Sequence, residues 1–167
     1  MTLAGQRLQT DRYQLIPRTL VFLTRGEHVL LIRIAEDRGA WAGLYNGVGG
    51  HIEADENPYN AALREISEET GIIPLELRLC GVIVVHPGSS PGIGIHIFVG
   101  ITDEIELKAS PEGQPQWIPI NEIQDYALVE DLPKIIPRAI DSLTTGRTFC
   151  GLTTFDDAGQ PILQFLP

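Results

Sequence analysis

No stretch of this chain is apolar for long enough to cross a bilayer, since a spanning helix needs about 20 consecutive apolar residues. No membrane anchor is therefore expected. Cysteine is scarce. Cys80 and Cys150 stand far apart in apolar surroundings with no partner at metal-ligand spacing, so both read as small core residues of a reducing compartment, and a disulfide is disfavoured. Basic residues are outnumbered, 12 Lys and Arg against 22 Asp and Glu, for a formal net charge of −10. That balance argues against a nucleic acid polymer as partner, because such binding draws on Lys and Arg to displace counterions. The segment Met1 to Thr10 lacks the ordered charged, apolar and small-residue regions of a secretory signal, which points to the cytoplasm. Repeats and long Pro/Gly/Ser linkers are absent as well. The 167 residues, 43% apolar, are thus expected to form one domain over residues 1–167, with residues 1–15 as an N-terminal extension. The acidity has one specific consequence. Carboxylates concentrated in one cleft repel an anionic phosphate, so if they are functional a divalent cation must stand between the two.

What is present is an alternation of strand and helix signals, and the fold class expected is mixed α/β. Arg18 to Thr24 and His28 to Ile34 are apolar and β-branched around the polar Arg25-Gly26-Glu27 and read as a hairpin. Asp37 to Tyr45 reads as loop. Asn57-Pro58 is an N-cap followed by proline at the first helical position, and Gly71 is a C-terminal stop, which predicts a helix from about Asn57 to Thr70. Leu75 to Val85 and Ile93 to Thr102 read as strands around the loop Pro87 to Gly92, with Gln116 to Pro119 a short third one. Leu132, Ile136, Ala139, Ile140 and Leu143 have helical spacing, but Pro137 suits that helix only if the helix proper starts near Ile135. The tail alternates through Phe149 to Phe155 and Ile162 to Phe165, a closing hairpin.

Residues three and four apart on a helix share a face, so Glu65, Glu68 and Glu69 form one acidic patch while Ala62, Leu63 and Ile66 can pack inward. Like charges at this spacing cost a helix a few tenths of a kcal/mol per pair, so the patch needs free solvation or a cation. Magnesium suits it, because it takes oxygen ligands and shares its shell between carboxylates, waters and substrate phosphates. A bare E-x-x-E-E string is ordinarily just the solvated face of an amphipathic helix. Here the string has a frame around it. Gly50, Glu56, Arg64, Glu65, Glu68, Glu69 and Gly71, with Ile66 and Ile72 apolar, match the pattern G-x5-E-x7-R-E-U-x-E-E-x-G-U without a departure. Seven fixed residues at ordinary usage would coincide on the order of once in 10⁸ to 10⁹ windows, which removes chance as an explanation.

That pattern is the Nudix box, and the order of elements along most of the chain is similar to that of Nudix domains. The resemblance implies an α/β/α sandwich and magnesium-dependent hydrolysis of a pyrophosphate bond in a nucleoside-diphosphate-linked substrate, with manganese as a substitute cation. It also implies that Glu65, Glu68 and Glu69 bind the metal with the carbonyl of Gly49, that Arg64 holds the glutamates by salt bridges, and that Glu56 is structural. Arginine suits such a cluster because its planar fork both neutralises and orients carboxylates. The attacking water must lose a proton, to Glu65 or to a glutamate from another loop. Glu112, in Pro111-Glu112-Gly113, resembles the Glu-Gly loop that several Nudix pyrophosphatases set over the metal, so it is expected as a catalytic residue and metal ligand.

The stretch Leu44 to Glu53 is similar to the W-N-G-x-G-G-K segment of the oxidised-purine nucleoside triphosphatases, the MutT-like branch, which makes Asn46 a candidate base contact. Turn geometry alone also suits an asparagine there. Glu130 and Asp131 fall where those enzymes carry an acidic pair that reads the base, although the same two acids could simply begin a helix. Tyr45 in place of tryptophan, His51 in place of lysine and Leu128 in place of an aromatic depart from that branch, leaving room for other nucleoside triphosphates, a nucleotide sugar or a pterin triphosphate. The partner implied is a small-molecule nucleotide, bound by a monomer or homodimer. Rival readings are a non-catalytic nucleotide-binding Nudix module and an isoprenyl diphosphate isomerase. The first usually loses a box glutamate or the arginine, and the second wants a cysteine and glutamate pair that is not recognisable here. His28, His86 and His96 share no ligand spacing, and Trp41 and Trp117 read as packing anchors.

Overall fold

The computed structural model describes residues 11–166. Of the N-terminal extension and leader readings, residues 1–10 lie outside the described residues, and Leu15 already belongs to the first strand. In chain order the elements are β1 (Leu15–Arg25), β2 (His28–Ile34), β3 (Tyr45–Asn46), α1 (Pro58–Thr70), β4 (Glu76–Val85), β5 (Gly92–Ile101), β6 (Gly113–Pro119), α2 (Leu132–Thr145), β7 (Phe149–Phe155) and β8 (Pro161–Leu166). The strands form a mixed sheet in the order β3-β2-β1-β5-β4-β7-β8, with β6 on β2. Strands β1 and β5 run parallel in unbroken register, as do β4 and β7 over a shorter stretch. No helix among the described residues is long and apolar enough to cross a membrane.

The continuous apolar runs of β1, β2 and β5 follow from burial on both faces, with side chains alternating between two cores. Leu20, Phe22, Val29, Leu31, Ile97 and Val99 pack with Leu132, Ile135, Ile136 and Ala139 of α2. Val21, Leu23, Leu30, Ile32 and Phe98 pack with Ala62 and Ile66 of α1. This is the α/β/α sandwich expected. Helix α1 starts where its caps predict: Asn60 N donates to Asn57 Oδ1 at 2.9 Å, and Gly71 ends it at φ 75°, a left-handed conformation that glycine adopts without strain.

Four expectations change. The β1–β2 hairpin pairs only at its turn, Thr24 with Val29 and Arg25 with His28. Beyond it the glycine-rich loop from Gly47 to Gly50 takes the edge of β1, through Val21 N to Val48 O at 2.7 Å and Thr19 N to Gly50 O at 2.9 Å. Strand β2 turns instead to β6 and β3, and β6 begins at Gly113 rather than Gln116 because all of β2 pairs with it. Helix α2 starts at Leu132 despite Pro137, which is on the exposed face; the carbonyl of Pro133 that loses its amide partner can there be hydrated. Cys150 is exposed, whereas Cys80 is buried and its thiol is pushed up to about 11 by that burial. Alternation along β7 sends Gly151 and Thr153 inward and Cys150 outward.

Candidate active site

Because the glycine-rich loop is laced to β1, it passes directly over α1. A Cβ on Gly50 would fall on Glu65 Oε1, and one on Gly49 would fall on the carbonyl of Thr19. Only glycine permits this approach. The acidic patch is unequal: Glu69 is 6% exposed, Glu65 is partly buried, and the Glu68 side chain is 61% exposed. Glu69 lies three residues after Ile66 and so shares its buried flank, where sequence spacing had grouped it with its solvated neighbours. Gly49 N donates to Glu69 Oε2 at 3.2 Å. Burial, then the negative charge of Glu65, pushes the Glu69 carboxyl up to about 8 against that hydrogen bond. Burial likewise raises Glu65, against the pull of Arg64.

Arg64 organises the cluster. Its Nε and Nη2 grip Glu56 at 2.7 and 2.9 Å, its Nη1 reaches Glu65 at 2.9 Å and Glu68 at 3.2 Å, and Nη2 also donates to the carbonyl of His51 at 3.0 Å. The bond from Arg64 holds Glu56 below the usual carboxylate range, and the same bond raises the guanidinium. One planar fork thus joins the loop, the helix and three carboxylates, a geometry lysine cannot reproduce. Glu112 comes from the turn before β6, held by Ala35 N to Glu112 O at 3.0 Å and the Ser110–Gly113 bridge. Its charge helps raise both Glu65 and Glu69. Arg38 Nη2 pairs with it at 2.9 Å, a partner on the intervening loop that no spacing in the sequence had signalled.

Among the described residues no three acidic, His or Cys side chains converge closely enough to hold an ion together. Arg64 occupies one oxygen each of Glu65 and Glu68, and Gly49 N one oxygen of Glu69. The donor set still fits a hard divalent cation, since it is all oxygen and each of these carboxylates keeps a second oxygen. The glycine cradle also leaves the Glu65 head free of any Cβ.

A cleft of ≈ 400 Å³ opens beside this cluster, lined by Glu69, Glu112, Gly49 and Arg38 and also by Asn46, Glu130 and Asp131. Asn46 makes the turn contact weighed for it, its Oδ1 accepting from Gly47 N at 2.9 Å, and it is among the residues that line the cleft. Asp131 stands at the N-terminus of α2 without capping it, and accepts instead from Thr153 Oγ1 at 3.2 Å. Trp41 is no packing anchor; it is 45% exposed at the cleft rim, on a 3-10 turn (Gly39–Trp41) inside the expected loop. Trp117 does pack, against the core under α1. Tyr45 sends its hydroxyl to Gln116 at 3.0 Å, and Leu128 packs into the α2 core. His86 lies against Tyr13 and His96 against the Arg18 carbonyl.

Known proteins are similar to this chain in sequence and in fold. The NUDIX domain family model matches residues 14–139. The oxidized purine nucleoside triphosphate hydrolase of Mus musculus is 31% identical over 140 residues, covering 83% of this chain and 86% of that protein, and the Danio rerio enzyme of the same name is 36% identical over 106 residues, covering 63% and 67%. An NAD-capped RNA hydrolase of Caenorhabditis elegans is 27% identical, but the match spans only 38% of that protein. The MutT protein from Bacillus halodurans superposes with a TM-score of 0.73 at 24% identity, over 90% of this chain and 97% of that one, which shows a shared fold. With the domain model matched over most of its length and the box helix, glycine cradle and arginine clamp in place, the chain belongs to the Nudix hydrolase family.

Proposed function

We propose that this protein hydrolyses a nucleoside triphosphate, canonical or with an oxidised purine, to the monophosphate and pyrophosphate, using Mg²⁺ with Mn²⁺ as substitute. The observation that carries the reading is the continuity of the cleft. One cleft, largely apolar, is lined both by Glu69 of the box helix with Glu112 and by Asn46, Glu130 and Asp131, a few polar groups in an apolar pocket of the kind that holds a small ligand. The names of the mouse and zebrafish relatives favour the same substrate class.

Glu65, Glu68, Glu69 and the Gly49 carbonyl would hold the cation, which when bound neutralises phosphate charge and lowers the pKa of an attacking water. Arg64 keeps Glu65 and Glu68 oriented and offsets their repulsion. Glu112 is the proposed base, since it faces the same cluster from a separate loop, and Arg38 tethers it. Asn46 keeps its amide N–H groups for the base, because its oxygen is engaged by Gly47. Glu130 and Asp131 offer acceptors to ring N–H or amino groups. Trp41 gives an exposed aromatic face at the rim, the platform that Leu128 does not provide.

The experiment is phosphate and pyrophosphate release from canonical and oxidised nucleoside triphosphates, nucleotide sugars and dinucleotides, each with Mg²⁺ and with chelator. Mg²⁺-dependent pyrophosphate release confined to the triphosphates is expected. Cleavage of dinucleotides alone would reassign the substrate, and no cleavage by folded protein would favour a nucleotide-binding module. Within the active panel, Glu112→Gln should lower kcat more than Glu65→Gln lowers it at saturating Mg²⁺; the reverse order would make Glu65 the base.

A further inference from the structure

Arg18 lies outside the Nudix box, two residues before Leu20 and four before Phe22 on β1. Residues at that spacing on a strand face the same side, and Leu20 and Phe22 both belong to the core beneath α2. Its partner in the parallel register, Ile95, packs against that core as well. Helix α1 lies on the opposite face, over Val21 and Leu23. Arg18 therefore lies on the α2 side of the sheet, opposite the face that carries α1, and lines the cleft together with Ile83, Val85, Ile93 and Ile95.

Its Nε is buried without a hydrogen-bond partner, and no ion pair engages its guanidinium among the described residues. An unsatisfied donor on an apolar floor is costly, and more so when it is charged. A chain of net charge −10 has ample carboxylates to pair it. Asp131, which lines the same cleft, is bonded to Thr153 instead. Such an arginine stands ready for a ligand.

We propose that Arg18 is a specificity-determining residue that donates to an oxygen acceptor at the substrate end remote from the reacting phosphates. The proposal rests on the nucleoside triphosphate reading above. Guanidinium offers donors only, whereas the carboxylates of Glu130 and Asp131 offer acceptors. A base carrying a keto oxygen next to a ring N–H, as an oxopurine does, satisfies both kinds of group. Adenine presents an amino group where the oxopurine has its oxygen, and leaves Arg18 unmet. A phosphate oxygen is the other acceptor of matching chemistry, and the face of the sheet from which Arg18 projects argues against it.

The test compares wild type, Arg18→Met and Arg18→Lys with GTP, ITP and ATP, and measures inhibition by inorganic tripolyphosphate. Arg18→Met should raise KM for GTP and ITP by about tenfold or more, the loss of a charged hydrogen bond, with kcat within about twofold. KM for ATP and the tripolyphosphate inhibition constant should stay within about twofold, and Arg18→Lys should recover part of the loss. The melting temperature of ligand-free Arg18→Met should equal or exceed that of wild type, because a buried Nε–H without a partner has gone; a clear drop would make Arg18 structural and overturn the proposal. Equal rises for GTP, ATP and tripolyphosphate would assign Arg18 to phosphate, and no change in any would leave it no role; either overturns the proposal. If wild type cleaves no triphosphate, the hydrolase substrate reading fails by itself. Binding of GMP and AMP then decides Arg18: a preference for GMP that Arg18→Met abolishes upholds the donor role, and its absence overturns it.

Discussion

Metal-free protein should lose stability as pH rises from 5 to 8, and Glu69 is the main reason. Its carboxyl is raised from 4.5 to about 8 in the folded state, mainly by burial. Between those values the unfolded chain has released a proton that the folded chain keeps, so the proton count is higher in the native state and stability falls with pH. At about 1.4 kcal/mol per unit, the loss between pH 5 and 8 is roughly 4 kcal/mol. For a domain of this size that is a drop in melting temperature of about 10 °C. Glu65 shifts in the same direction and adds to it. Glu56 shifts the other way, but its stabilisation is complete above its unfolded value and is lost only as pH falls below that, so it does not mask the effect. The assay is calorimetric melting in chelator at fixed ionic strength from pH 5 to 8.5, for wild type and Glu69→Gln. The glutamine keeps an oxygen for Gly49 N–H and removes the titration, so the variant should lose most of the slope and be the more stable protein at pH 8. Added Mg²⁺ should flatten the wild-type curve, since a cation favours the ionised carboxylate. A wild-type melting temperature that is level or rising across this window, or a slope shared with Glu69→Gln, would refute the burial argument.

Glu68→Gln should leave the melting temperature nearly unchanged, because its side chain is 61% exposed, yet lower turnover by about a hundredfold or more if it is the metal ligand proposed; full activity with unaltered Mg²⁺ dependence would remove Glu68 from the proposed metal site. Arg64→Lys should lower turnover by about 10–100-fold and raise the Mg²⁺ concentration for half-maximal rate, since lysine cannot hold Glu56, Glu65 and Glu68 at once; unchanged titration curves would count against the clamp. Asn46→Ala should reduce discrimination between purine and pyrimidine triphosphates more than it reduces kcat, and equal losses for all bases would reduce its role to the Gly47 turn.

The box helix was legible in the sequence because its determinants are local. Asn57, Pro58 and Gly71 cap it, and the spacing of Glu65, Glu68, Glu69 and Arg64 sets them on neighbouring turns whatever the rest of the chain does. The sandwich was legible through the resemblance that the box carries, and runs such as Leu20 to Leu23, apolar at every position, agree with strands buried on both faces. Those patterns decided the family, the chemistry class and the candidate metal ligands. Other features depend on which edges meet in space. Whether Val48 to Gly50 would take the edge of β1 and split the expected hairpin, whether Arg38 would find Glu112, and whether Glu69 would sink beside Ile66 are questions of long-range register and depth, and one-dimensional spacing carries neither. The outward turn of Cys150 and the exposure of Trp41 belong to the same class. So does the unpaired Arg18, an ordinary strand residue in the sequence. Only the tertiary structure sets it on the apolar floor of the cleft, because a side chain's solvation and partners are properties of everything packed around it.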